Sequence, residues 1–374
     1  MLSKIAVVPK QSAARKADSS VRLVLLLPTI VIVLFLSIFP LVASLFLSFA
    51  RVTFARGGVN IEFIGLANYH KLLFGSQQRH LIGKLGELSP IGWLVFLAVT
   101  AFLLYWFYTE IRGGKARVTA LIPRALAVVF ASGLAWIMLS TLSGDGLPGT
   151  MVVTLVFVFA GVFFQYVIGL ALALLLVQTI PGKRFFRIAF LLPMMITPVG
   201  IAFLFRMITD THVGPLAPLW ASIGLQNFSF VETGEGARVA VLIGDIWQWT
   251  PFMFIILLAA LEGTSREQLE AALVDGAKRL QLFRYIILPQ IAPVSLTLIL
   301  IRLIEAFKII DIPRILTGGG PGTATESLTL HAYIEWRSPN LGGSAAISYL
   351  LLILVTFIAL MFVNVVRQQI IDRL

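Results

Sequence analysis

The sequence contains no cysteine, which excludes disulfides and thiolate chemistry and leaves the redox compartment unread. Histidine is scarce too: His70, His80, His212 and His331 are widely scattered, and no metal-ligand spacing appears among them. Charge is the third scarcity. Only 13% of the 374 residues are charged, about half the share of an ordinary soluble domain. Acidic residues are the thinner side, 18 Asp and Glu against 29 Lys and Arg, for a formal charge of +11. No basic run carries interleaved aromatics, so the excess does not describe a nucleic-acid surface. No Ser/His/Asp or paired-carboxylate arrangement points to catalysis, so an enzyme is not expected.

Apolar residues fill the space instead, at 58% with a mean hydropathy of +0.94. That is the composition of an integral membrane protein with little room for a separate soluble domain. Residues 1–21 read as a basic cytoplasmic tail with Lys4, Lys10, Arg15 and Lys16, and 22–50 as a first span. The apolar run from Arg22 to Phe49 is too long for a signal-peptide core of about 7–15 residues and is expected to be retained. A polar loop follows over 51–89, then two apolar runs within 90–142, each long enough to cross a hydrocarbon core of about 30 Å. Further spans are expected over 151–177, 190–207, 239–261, 294–312 and 345–366, giving an all-α polytopic membrane protein of about eight transmembrane helices.

Loops at 110–119, 179–188 and 263–291 are rich in Lys and Arg, whereas 143–150 and 209–237 are neutral or acidic. Positive charge favours the cytoplasmic side, which places the basic set, and with an even number of spans both termini, inside. The basic residues of the first outer loop, Arg51, Arg56, Lys71, Arg79 and Lys84, have no account in this scheme.

Residues Glu270 to Pro293 form an interior stretch too polar to cross a bilayer, set between two apolar spans. Ser265 and Gln268 have the spacing of a capping box, and Leu269, Leu273, Gly276, Leu280 and Phe283 recur at helical intervals. Asp275-Gly276 interrupts the pattern. A glycine costs a helix about 1 kcal/mol relative to alanine, so two short helices with a bend between them are expected. A hairpin is excluded because the flanks lack period-2 alternation.

These residues carry a resemblance. Glu270-Ala271-Ala272, Asp275-Gly276-Ala277, Phe283, Leu288-Pro289 and Pro293 are similar to the EAA loop of binding-protein-dependent ABC importer permeases. Phe63 to Tyr69 resembles the F-x-G-L-x-N-Y signature of carbohydrate importer permeases, and Gly182 to Arg187 their G-K-R-x-F-R. Thr317 to Gly322 resembles their L-T-G-G-G-P loop; it is not a phosphate loop, since no Gly-Lys-Ser/Thr follows. Most relatives with an EAA loop have six spans, so 90–142 looks like an inserted helix pair and 151–367 like a type I permease core, with its coupling loop at 263–293.

Two groups of polar residues fall within spans. Asp245, Trp247, Gln248 and Trp249 are either an interfacial aromatic belt or part of a solute pathway. Arg302, Glu305, Lys308 and Asp311 are spaced by three and alternate in sign, as an internal salt-bridge ladder or as solute contacts. The last three, with Phe307, match an E-x-F-K-x-x-D pattern of the same permeases.

The resemblance implies one membrane-spanning subunit of an inner-membrane importer for a carbohydrate: a disaccharide, glycoside or related polyol. Its implied partners are a second permease, an ATPase dimer and an extracytoplasmic solute-binding protein. Glu270, Ala271, Ala272, Asp275 and Gly276 would couple to the ATPase. ATP would be bound by that partner, leaving this chain without a cofactor or metal of its own. A phosphorylated polyol such as glycerol phosphate is the alternative solute. An ion-gradient-driven secondary transporter is the alternative class, against which stand the EAA loop and the lack of an inverted repeat.

Overall fold

The structure, a computed structural model, describes residues 26–112, 118–178, 180–225 and 227–371. The expected tail at 1–21 lies outside the described residues, as do Lys115 and Arg117 of the short basic loop. In chain order the long helices are α1 (Leu26–Ser48), α4 (Pro90–Arg112), α5 (Val118–Leu142), α6 (Thr150–Val177), α10 (Gly234–Glu262), α12 (Arg279–Ala306) and α14 (Leu341–Ile371). Shorter helices lie between them: α2 (Ala67–Leu73), α3 (Gln78–Leu81), α7 (Lys183–Met195), α8 (Pro198–Thr209), α9 (Ala217–Ser222), α11 (Arg266–Val274) and α13 (Leu328–Arg337). Among the described residues, 7 helices are long and apolar enough to cross a membrane, or 8 if the α7–α8 pair is one bent span.

That pair departs from expectation. Residues 190–207 do not form a continuous span: α7 and α8 meet at 97°. Ile196 and Thr197 are extended, the Thr197 hydroxyl caps α8 by accepting from Gly200 N at 3.3 Å, and Pro198 occupies the first turn. A proline there cannot continue the preceding helix and suits the start of the next. The opposite departure occurs at α12, which begins at Arg279 rather than 294 and runs through Pro289 and Pro293. A π-helical stretch at Phe283–Ile287, with Leu288 N bonded to Phe283 O, re-routes the backbone bonds just before the first proline. At its other end α12 stops at Ala306, short of the expected 312.

The core lies where α6, α10, α12 and α14 meet, around Val158, Met253, Phe254, Leu257, Leu298 and Ile347. Its closest contact is between α6 and α10. A Cβ placed on Gly169 would lie 2.7 Å from Met253 Cβ and 3.0 Å from Phe254 N, so only glycine lets the two backbones approach this far. Gly169→Leu is expected to destabilise the bundle by about 1–3 kcal/mol, the usual cost of overpacking, read as a lower melting midpoint in detergent.

α4 and α5 pack on each other and lightly on α6, while the apolar residues of α1 from Leu26 to Val42 are exposed. α1 rests on α14, where the Tyr349 hydroxyl donates to Leu41 O. Between α1 and α4 the chain is more ordered than a polar loop. It forms an antiparallel hairpin of β1 (Ala50–Ala55) and β2 (Gly58–Phe63), then α2 and α3. A further antiparallel pair joins β3 (Gly83–Lys84) to β4 (Leu147–Pro148), tying this segment to the start of α6. Asn68 Nδ2 donates to Ser48 O and Ala50 O at 2.9 and 3.1 Å, and the Tyr69 hydroxyl to Ser48 Oγ at 2.8 Å. The N-Y of the F-x-G-L-x-N-Y segment is thus a clasp on the end of α1.

Candidate functional site: a polar cleft and an exposed helical elbow

The first site is in the middle of the bundle. Three helices each contribute one polar residue to a closed network: Gln165 from α6, Asp245 from α10 and Arg302 from α12. Arg302 Nη2 donates to both Asp245 oxygens at 3.1 and 2.9 Å, and its Nε donates to Gln165 Oε1 at 2.8 Å. Gln165 Nε2 completes the ring by donating to Asp245 Oδ2 at 2.8 Å. The Trp249 ring lies 4.6 Å from the guanidinium carbon. Arg302 is only 2% exposed, so the charge is held by its partners and not by water. Such a pair contributes little net stability while intact, because desolvation offsets the attraction, but breaking it strands a buried charge.

The expected ladder along 302–311 is therefore not formed. Arg302 turns away from Glu305 to Asp245, 57 residues distant in sequence. Glu305 and Lys308 do pair, at 2.8 Å, in a part-exposed position, while Asp311 makes no ion pair among the described residues. The physical reason is a competing partner: Asp245, on α10, holds Arg302 in place of Glu305, and Asp311 lies past the end of α12 at Ala306.

A cleft of about 110 Å³ opens on this network, lined by Asp245, Gln248, Trp249, Arg302, Glu305, Lys308 and Asp311 with Pro198 and Ile309. Asp245 and Gln248 share a face, as their spacing predicts, and both are buried. Gln248 makes no side-chain hydrogen bond to another described residue, so its amide is available to a solute. Trp247 is placed elsewhere. It lines a separate apolar groove with Ile243, Ile246 and Pro251, and its ring meets Phe205 at 5.7 Å. Two residues along a helix is about half a turn, which puts Trp247 and Trp249 on different walls. Gln165 carried no signal in the sequence, being a lone amide in an apolar run.

The second site lies at the end of the bundle that carries the 263–291 segment. α11 ends in a Schellman motif: Ala277 N bonds Ala272 O at 2.9 Å and Gly276 N bonds Leu273 O at 3.0 Å. Gly276 takes φ +82°, the left-handed conformation this closure needs. Lys278 N then donates to Gln281 Oε1 at 2.7 Å and α12 begins. The expected helix–bend–helix is present. The expected capping box at Ser265 is not, because Ser265 makes no side-chain cap bond and Gln268 is engaged elsewhere. One side chain, Gln290 of α12, grips the start of α11 from both sides of its amide. Its Nε2 donates to Gln268 Oε1 at 2.5 Å and its Oε1 accepts from Ser265 N at 3.4 Å. Beside the elbow, Lys183 and Arg187 of the G-K-R-x-F-R segment both meet Glu262 Oε1, at 3.1 and 2.8 Å, and fasten α7 to the end of α10.

Glu270, Ala271, Asp275 and Gly276 are all exposed at this elbow, with Ala272 half-buried beside them. Leu273 is 57% exposed, Val274 88% and Leu280 74%. The apolar face expected from periodicity is real but uncovered. Bulky apolar side chains clustered in the open at a built turn mark an interaction surface, for another protein or for the membrane.

Comparison with known proteins agrees with this geometry. The trehalose/maltose transport system permease protein MalF of Thermococcus litoralis is 33% identical over 215 residues, covering 58% of this chain and 73% of that protein. The trehalose transport system permease protein SugA of Mycobacterium tuberculosis is 32% identical over 214 residues, covering 57% and 68%. In fold, the chain resembles a crystal structure of a bacterial alginate ABC transporter in complex with an alginate pentasaccharide-bound periplasmic protein. The TM-score is 0.52 and the identity 22%, over 59% of this chain and 80% of that one. The family model for binding-protein-dependent transport system inner membrane components matches residues 126–372, from within α5 almost to the last residue, and the chain belongs to that family.

Proposed function

We propose that this chain is one membrane-spanning subunit of an ATP-driven importer that translocates a carbohydrate (a disaccharide, glycoside or related polyol) delivered by an extracytoplasmic solute-binding protein. The exposed elbow at Arg266–Leu282 carries the proposal. It is a rigid, apolar-tipped projection on the basic end of the bundle, where the positive-inside rule places the cytoplasm and hence an ATPase dimer. Both termini lie on that side, and the second permease packs on this one across the membrane. ATP is hydrolysed by the ATPase partner, whose closure displaces the elbows and rocks the spans between access states.

The cleft favours a neutral polyhydroxyl solute. Gln248 offers an amide, Trp249 an indole, and Glu305 and Asp311 acceptors for hydroxyls. The cations there are compensated, Arg302 by Asp245 and Lys308 by Glu305, which disfavours a phosphorylated polyol. Two of the similar permeases are named for trehalose/maltose and trehalose transport, which supports the same class, while another, 32% identical, is named for sn-glycerol-3-phosphate, the alternative solute.

The test is transport in proteoliposomes containing this chain, its second permease, ATPase and binding protein. Labelled trehalose or maltose is expected to enter only with internal or external ATP on the elbow side. Uptake driven by an ion gradient without ATP defeats the proposal, and preference for glycerol phosphate moves it to the alternative solute. Within that assay Gln248→Ala is expected to raise the half-saturating solute concentration about fivefold, the equivalent of one hydrogen bond of about 1 kcal/mol.

A further inference from the structure

At the end of the bundle opposite the elbow, the fold collects two of the four scattered histidines. His80, on α3, and His331, on α13, stack with ring centroids 4.0 Å apart. Glu326, just before α13, accepts from His80 Nε2 at 3.1 Å. One ligand atom from each of His80, Glu326 and His331 lies within 4.8 Å of the others. A tetrahedral metal ion with bonds of about 2.0–2.2 Å sets its ligands about 3.3 Å apart, so the cluster needs a contraction of up to about 1.5 Å.

A second observation points to a ligand. His331 is completely buried, and its Nε2 has no hydrogen-bond partner among the described residues. Its other nitrogen, Nδ1, sits 3.2 Å from Thr150 Oγ1. With the proton on Nδ1 and donated to that hydroxyl, Nε2 presents a bare lone pair in a buried place, the state in which metal-bound imidazoles are held. Glu335 Oε1 is 3.8 Å from Nε2, too far to satisfy it, and Glu335 is already engaged by Gln77 and Asn340 at 2.6 Å each. Orphaned buried nitrogens are rare and call for a partner.

We propose that His80, Glu326 and His331 form a divalent metal site that pins the 51–89 segment to α13. Two imidazoles and one carboxylate are a ligand set for zinc; magnesium and calcium prefer all-oxygen shells. A fourth position falls to water or to Glu335. The rings as stacked do not aim at one point, so His80, which is one-third exposed, swings about its side-chain torsions on binding while Thr150 holds His331 still. His80 comes from one part of the chain and Glu326 and His331 from another, and the bound ion joins α3, α13 and, through Thr150, the first turn of α6.

The full chain, purified in detergent and stripped with chelator, is titrated with Zn²⁺ against a chromophoric chelator at pH 7.5. One zinc per chain is expected, with affinity falling at pH 5.5 as protons compete. His80→Gln, which keeps a donor for buried Glu326, is expected to weaken binding at least tenfold with little change in the melting midpoint of the stripped protein, whereas His80→Ala weakens binding as much and also lowers that midpoint. Glu326→Gln and His331→Ala are expected to do the same or worse. Co²⁺ substitution is expected to give visible absorption bands in the wild type that His80→Ala loses. No binding by the wild type overturns the site. So does binding that survives both histidine substitutions, which is adventitious, or a stack that responds to pH alone.

Discussion

Asp245→Ala is expected to be the most damaging single substitution in the bundle, at a cost of about 3–5 kcal/mol. It strands the Arg302 guanidinium in a position only 2% exposed, between α6 and α12, with Gln165 as its remaining hydrogen-bond partner. The measure is the melting midpoint and monodispersity of the detergent-purified chain. The companion is the double variant Asp245→Leu with Arg302→Met, which removes both charges and is expected to recover most of the loss. If the single variant melts like the wild type, water reaches the pair and the charge is not stranded.

Gly276→Leu has the other large effect, and a different signature. At φ +82° a branched side chain strains the backbone by about 1–2 kcal/mol, yet an added Cβ meets nothing within 4 Å. The protein is therefore expected to insert and fold. In proteoliposomes with its partners, uptake is expected to fall at least tenfold while ATP hydrolysis continues, because the bulky side chain stands where the elbow must seat. Gly276→Asn separates the causes: asparagine tolerates the left-handed region, so it tests the space and not the backbone. Full transport by the leucine variant sinks the docking assignment of Glu270, Ala271, Ala272, Asp275 and Gly276.

What the sequence disclosed follows the range of the interactions concerned. Span positions and the elbow were legible because apolar periodicity, Gly276 and the basic loops act within a few residues of themselves. Asp245 and Gln248 were placed on one face for the same reason. The ladder failed because spacing along one helix was taken as proximity, whereas the partner of Arg302 sits on another helix and α12 ends before Lys308. Gln165 and Gln290 were invisible, since an isolated amide says nothing until the fold shows what it faces. Prolines misled in both directions. Pro198 broke a span expected to continue, and Pro289 and Pro293 lie inside a helix whose span was expected to begin only at 294, a π stretch having re-routed the backbone bonds before them. His80 and His331 are 251 positions apart, and no local pattern could join them.

The grip of Gln290 on both Ser265 and Gln268 has a mechanical consequence. A crank bolted to its shaft at one point wobbles before it turns; held at two points, it turns at once. With one amide clamping the root of α11 to α12, a push on the elbow, if the proposed coupling holds, would be delivered to the helix that carries Arg302. The stroke is not spent in slack chain at Thr264 or at the bend. The helix that carries the Arg302 network is thus the one to which the elbow is clamped.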